Sequence, residues 1–239
     1  MIRLIQIPFS HNCVKVRRAL DLKGLAYETE DIAPVDRASV RRASGQALVP
    51  VLVDGQHTVS DSTAILLYLE GAYPDPPLLP EDPGLRAECL VLEDWADAAL
   101  MELTRRLAYW SVLSTPGRLE DMFFPGQRGL RRRLQGRLAR RIVRRRFGIS
   151  ASRNLRDEVD ARRVAALAVH RLGGRPFLVG ERVTLADATL AAMSQPLRAA
   201  APGVRDDPAV ATLLAWGRGI LGEEAVADGA SRLPRATPG

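Results

Sequence analysis

Residues Ile7–Leu20 read IPFSHNCVKVRRAL. The apolar positions Leu4, Ile5 and Ile7 predict a short strand leading into this stretch. Pro8 has no N–H and ends any further ladder pairing. Ser10 follows at a position from which its side chain can cap a helix, by accepting a backbone N–H two or three residues on. Val14, Val16, Ala19 and Leu20 give that helix an apolar side. Ser10 and Cys13 thus fall together at a helix N-terminus. Unpaired N–H groups and the macrodipole favour negative charge there. Such a place suits a thiolate, the protein's own or a ligand's. The plainer alternative is an ordinary strand–turn–helix with a serine cap.

Two later stretches bear on that choice. Leu48–Val53 reads LVPVLV, a strand interrupted by Pro50. Asp54-Gly55 then turns the chain into a second strand, His57–Val59, as a hairpin. Asp61-Ser62 opens a further helix with Ile65, Leu66 and Leu69 on its buried face. Between these, Ala26–Ile32 reads as an alternating strand after Gly24. Asp36–Ala43 reads as a short polar helix or loop whose Arg37, Arg41 and Arg42 face solvent, unless one reaches a ligand carboxylate.

The resulting order, β-α-β-α-β-β-α, resembles the thioredoxin-like N-terminal domain of the glutathione transferase superfamily. The matching residues are Ser10, the Val49-Pro50 pair and the Asp61-Ser62 pair. The resemblance implies an α/β thioredoxin-like domain over residues 1–75 and an all-α C-terminal domain. It also implies glutathione as co-substrate and a small electrophile as second substrate. Pro50 is then a cis proline that presents the backbone of Val49 to the cysteinyl part of glutathione, in the manner of an added strand. Asp61 and Ser62 hold the γ-glutamyl group, as ammonium partner and carboxylate donor. Ser10 is the catalytic candidate. A thiol with an ordinary pKa near 8.5 is mostly protonated at neutral pH, and a donating hydroxyl beside a helix N-terminus lowers that by about 1–2 units. The local alternatives are an edge or bulge proline at Pro50 and a helix cap at Asp61.

Redox-active relatives carry Cys where this chain has Ser10. Cys13 therefore reads as a small packed hydrophobe, not half of a dithiol pair. His11 either meets the substrate or is exposed polar surface. His57 has no second ligand nearby in sequence and indicates no metal. Neither a disulfide framework nor a bilayer-spanning run is present in the sequence, which has only Cys13 and Cys89. The first residues lack a signal peptide's apolar core, so the expected location is the cytoplasm.

Residues 76–84 form a proline-rich linker. Residues 85–221 read as helix throughout, and 222–239 as a flexible tail. Thr184 and Asp187 form a carboxylate capping box, a structural feature. The resemblance further implies a homodimer burying the Asp61–Glu70 helix against the partner's second domain.

Residues 122–156 stand apart. They hold twelve arginines and no acid; as the chain is +6 overall, the remainder is net −6. Leu130, Leu134, Leu138 and Ile142 recur every four residues, predicting a helix over Arg128–Arg146 whose leucines face the protein. Gly136 weakens it by about 1 kcal/mol relative to Ala. Two functions compete. One is a glutathione transferase acting through Ser10, with isomerisation as a variant of the same chemistry. The other is a non-catalytic protein of the same fold that uses the arginine-rich segment on a partner, on nucleic acid or on an anionic membrane. In the first reading neither nucleic acid nor membrane is a partner.

Overall fold

The structure is a computed structural model and describes residues 1–222. The flexible tail expected from residue 222 onward therefore lies, from 223, outside the described residues. The first domain runs β1 (Ile2–Gln6), α1 (His11–Leu22), β2 (Tyr27–Asp31), α2 (Ala38–Ser44), β3 (Val51–Asp54), β4 (His57–Ser60) and α3 (Ser62–Ala72). The sheet order is β2-β1-β3-β4. β1 pairs parallel with β2 and antiparallel with β3, and β3 pairs antiparallel with β4. A parallel pair needs a crossover, and α1 supplies it. Leu4 and Ile5 of the central β1 point to opposite faces, and both are fully buried. Gly55, at φ 58, makes the tight β3–β4 turn that a side chain would disfavour.

The linker is shorter than the sequence indicates. α4 (Pro83–Ser114) takes in Pro83 and Gly84. Proline is at home in a first helical turn, where its missing N–H is no loss, and Asp82 caps the helix by accepting from the Leu85 N–H at 2.8 Å. The linker is tied to both domains at Leu78 and Leu79. Glu70 accepts from the N–H groups of Leu78 and Leu79, and the Leu185 N–H donates to the Leu78 carbonyl.

The rest is helical, as expected: α5 (Arg118–Phe123), α6 (Gly129–Arg146), α7 (Ala151–Leu172), α8 (Leu185–Ser194), a 3-10 turn (Gln195–Ala199), α9 (Pro202–Arg205) and α10 (Pro208–Leu221). Every residue of α8 is buried. Helices α4 and α10 pack against it, α7 packs in turn on those two, and α1 of the first domain packs on it through Val14 against Ala191 and Ala192. The capping box at its start is present. Asp187, fully buried, accepts from the N–H of Leu178 and the N–H and hydroxyl of Thr184, at 2.7–2.8 Å.

α6 departs from the sequence reading. Its buried residues are Gly136, Ala139 and Val143. Leu130, Leu134, Leu138 and Ile142 face solvent, at 71%, 56%, 61% and 54% exposure. The small residues, not the leucines, set the docking face, because they let α6 approach α5 closely. Arg140 fixes that orientation. It forms a two-pronged bond to Glu120 at 2.9–3.0 Å and donates to the Leu113 carbonyl at 2.9 Å. The cluster under α6 (Val112, Leu113, Leu119, Phe123, Phe124, Ala139, Val143) is separate from the main core.

Candidate active site

Sheet register brings the three sequence motifs together. Ile5 of β1, Val51 of β3 and Ser60 of β4 stand side by side in one row. The chain beyond that row leads from β1 to Ser10, back from β3 to Pro50 and Val49, and on from β4 to Asp61 and Ser62. All three motifs therefore flank one end of the sheet, and α1 and α3 begin there. A hydrogen bond of 2.9 Å from Lys15 Nζ to Thr63 Oγ1 ties α1 to the first turn of α3.

Ser10 holds the N-cap position of α1, with φ −72° and ψ 122°. Its carbonyl accepts the Val14 N–H at 2.9 Å. Its hydroxyl makes no capping bond. The side-chain cap expected from the sequence is thus absent, and the helix is capped by backbone alone. The hydroxyl instead lies against the sulfur of Cys13. Cys13 is fully buried, and burial pushes its pKa up to about 11 against the smaller opposing pull of the Ile7 backbone and Ser10. Cys13 therefore remains a thiol at neutral pH, in keeping with a packed and non-nucleophilic role.

The Val49–Pro50 peptide is cis. Pro50 is buried and Val49 half-buried. The β1–β3 ladder begins at Val51, so Val49 precedes the paired residues. Asp61 has φ 81°, the sole positive value among the described non-glycine residues. Backbone held in this region concentrates at functional sites. Asp61 Oδ1 caps α3 by accepting from Thr63 and Ala64 at 3.0 and 3.1 Å, which leaves Oδ2 outside those bonds. Ser62 is buried in the first turn.

His11 is not exposed surface; it is 5% exposed. Arg105 Nη2 stands 3.3 Å from its Nε2. Burial, then Arg105 and Lys15, push its pKa down to about 3, so the ring is neutral at physiological pH. Around it are groups that sequence reasoning did not assemble. Tyr109 stacks on Phe147 at 5.0 Å, and the guanidiniums of Arg105 and Arg146 lie over Phe147 at 5.6 and 5.9 Å. Arg37, read from sequence as solvated, is partly buried near Tyr109, Cys13 and Arg146, and its Nη1 is buried without a hydrogen-bond partner. Arg105 and Tyr109 are four apart on α4 and share a face. Nothing local in the sequence says that this face looks onto α1.

The site thus has two sides. One is a sheet end with two helix N-termini and a serine hydroxyl that caps neither helix. The other is an aromatic floor ringed by guanidiniums. Among the described residues no three His, Cys, Asp or Glu side chains gather as a metal site needs.

Residues 4–77 match the family model described as "Glutathione S-transferase, N-terminal domain". A glutathione S-transferase of Triticum aestivum is 44% identical over 68 residues, covering 28% of this chain and 32% of the relative. A probable maleylacetoacetate isomerase of Vibrio cholerae is 34% identical over 103 residues, covering 40% of this chain and 48% of the relative. These matches span about a third to a half of the relatives' own length. Among solved structures, a glutathione S-transferase of Methylobacterium radiotolerans in complex with glutathione sulfonate is 27% identical. It covers 99% of this chain and 96% of its own, with a TM-score of 0.65.

Proposed function

Because this chain belongs to the glutathione S-transferase superfamily, we propose that it binds glutathione at the sheet end and uses the thiolate, steadied by Ser10, on a small electrophile. The observation that carries this is the Ser10 hydroxyl. It sits at a helix N-terminus, is not spent on capping, and shares the sheet end with Val49, Asp61 and Ser62. The cysteinyl backbone of glutathione pairs with Val49 as a short added strand. The γ-glutamyl carboxylate meets Ser62 and the start of α3, and its ammonium meets Asp61. The glutathione sulfur then lies by Ser10. A hydroxyl donated to sulfur favours the charged form, and α1 adds its partial positive charge.

The second side of the site sets the electrophile. Arg37, Arg105 and Arg146 around Tyr109 and Phe147 suit a substrate with an anionic group beside an apolar body. The same arginines favour isomerisation of an unsaturated acid as a second reading. The thiolate adds to one carbon of a double bond, rotation follows, and the thiolate leaves, so glutathione is regenerated. An isomerase activity appears in the name of the Vibrio relative.

Retention on immobilised glutathione, with elution by the free tripeptide, tests the first half. Turnover of a chlorodinitrobenzene tests the second. A chain neither retained nor active overturns the reading. Carboxylate-bearing electrophiles should be preferred to their methyl esters by about tenfold in kcat/KM, or about 1.4 kcal/mol, and Arg105→Gln should erase the preference.

A further inference from the structure

The outward face of α6 repeats Leu130, Leu134, Leu138 and Ile142 one turn apart, all more than half exposed. Arg131, Arg133, Arg137, Arg141, Arg144 and Arg145 are exposed among and beside them. Arg132 and Arg140 are held by Asp121 and Glu120, whereas those six have no acidic partner among the described residues. A solvated basic face has no use for four large aliphatics in water, and an ordinary core helix would have buried them.

We propose that this face of α6 docks on an anionic phospholipid bilayer, lying in the plane of the interface. The aliphatic side chains reach the acyl boundary, while the guanidiniums stay level with lipid phosphates on their flexible stems. Charge complementarity selects this occupant. The segment 122–156 carries twelve positive charges and no negative one, against a net −6 for the rest, so an anionic surface attracts one part of the molecule and repels the remainder. A second copy paired through α6 about a two-fold axis would set like arginine rows against each other. Nucleic acid would engage the arginines and leave the leucines in water. The contact is peripheral, because no described helix is long and apolar enough to cross a membrane. α6 rests on its own small cluster and ends at Phe147, on the second side of the candidate site. Docking therefore brings that side of the site close to the lipid surface. The inference stands independently of the proposed activity.

The test is co-sedimentation of the full chain with vesicles of phosphatidylcholine alone or with about one-third phosphatidylglycerol. Binding to the anionic vesicles should be at least tenfold tighter and should weaken with added salt. Leu134→Ser/Leu138→Ser, which leaves the charge unchanged, and Arg137→Glu/Arg141→Glu should each reduce it tenfold or more. Both pairs are exposed, so thermal melting should show the variants folded, and glutathione retention should match the parent. Failure to pellet with anionic vesicles overturns the proposal. So does pelleting unchanged in the leucine variant, which would mean charge alone. A dimer in the parent that dissociates in the leucine variant assigns the face to a second copy and also overturns it. Salt-dependent DNA binding tighter than vesicle binding and insensitive to the leucine changes does the same.

Discussion

Ser10 and His11 are neighbours whose substitution should have opposite consequences. The Ser10 hydroxyl caps nothing, so Ser10→Ala should leave thermal stability nearly unchanged. Turnover with a generic electrophile should fall about ten- to a hundredfold, equivalent to roughly 1.4–2.7 kcal/mol of lost transition-state stabilisation. The KM for glutathione should move much less, because the proposed hold on the tripeptide rests on Val49, Asp61 and Ser62. Part of the loss should return at higher pH, where the glutathione thiol ionises unaided. Steady-state kinetics across pH reads all three effects, and unchanged turnover would remove Ser10 from the chemistry. His11, in contrast, should register in stability. Its folded pKa is pushed down to about 3 from 6.5, so the unfolded chain binds the extra proton between those values. Its stabilising effect is complete above about pH 6.5 and is lost as the pH falls toward 3. Between pH 7 and pH 5 the parent should lose about 2 kcal/mol more than His11→Asn in urea unfolding. Parallel pH profiles for the two proteins would show that His11 is not held neutral by the fold.

α6 shows how an element is oriented by its smallest residue. Helix propensity alone makes Gly136→Ala a gain of about 1 kcal/mol. The tertiary contact reverses that expectation. A Cβ there would stand 2.3 Å from Oε1 and 2.5 Å from Cγ of Glu120. Glu120 would have to swing away, giving up its two-pronged bond with Arg140, a partner that holds the Glu120 pKa below the usual carboxylate range. Gly136→Ala should therefore be destabilising by about 1 kcal/mol, seen as a Tm lower by a few degrees. A rise in Tm would mean that α5 and α6 can separate without cost.

The two domains are joined through a buried ion pair. Lys15 of α1 and Glu93 of α4 are 0% and 1% exposed and in direct contact. Thr63 of α3 and Thr189 of α8 donate to the same Glu93 oxygen at 3.0 and 3.2 Å. Lys15→Met would leave the carboxylate buried beside an apolar chain, costing about 3–5 kcal/mol. Adding Glu93→Leu should recover part of that loss, because the stranded charge is removed while Thr63 and Thr189 lose their acceptor. Urea unfolding of the single and double variants checks both statements. Equal destabilisation by the two would indicate that the ion pair itself, and not the stranded charge, holds the domains.

Much of this architecture was legible in the sequence, wherever a residue acts through its own backbone or its immediate neighbours. Pro50 before an apolar run, Gly55 in a hairpin, the Asp61-Ser62 helix start and the Thr184–Asp187 box are local chemistry, and each stands in the structure where the sequence placed it. Their order also indicated the sheet, whose register then carried Ser10, Val49, Asp61 and Ser62 to one end. Pairings between distant elements were not legible. A helix with leucines on one side and small residues on the other has two possible docking faces, and only the fit of Gly136 and Ala139 against α5 chose between them. Ser10 looked like a side-chain cap because serine at that position usually is one; in the structure its hydroxyl makes no capping bond. Arg105, Tyr109 and Phe147 joined the site because α4 brings Arg105 to His11 and the end of α6 sets Phe147 on Tyr109. Periodicity reports that a face will be buried or wet, whereas the partner that meets it is decided by packing alone.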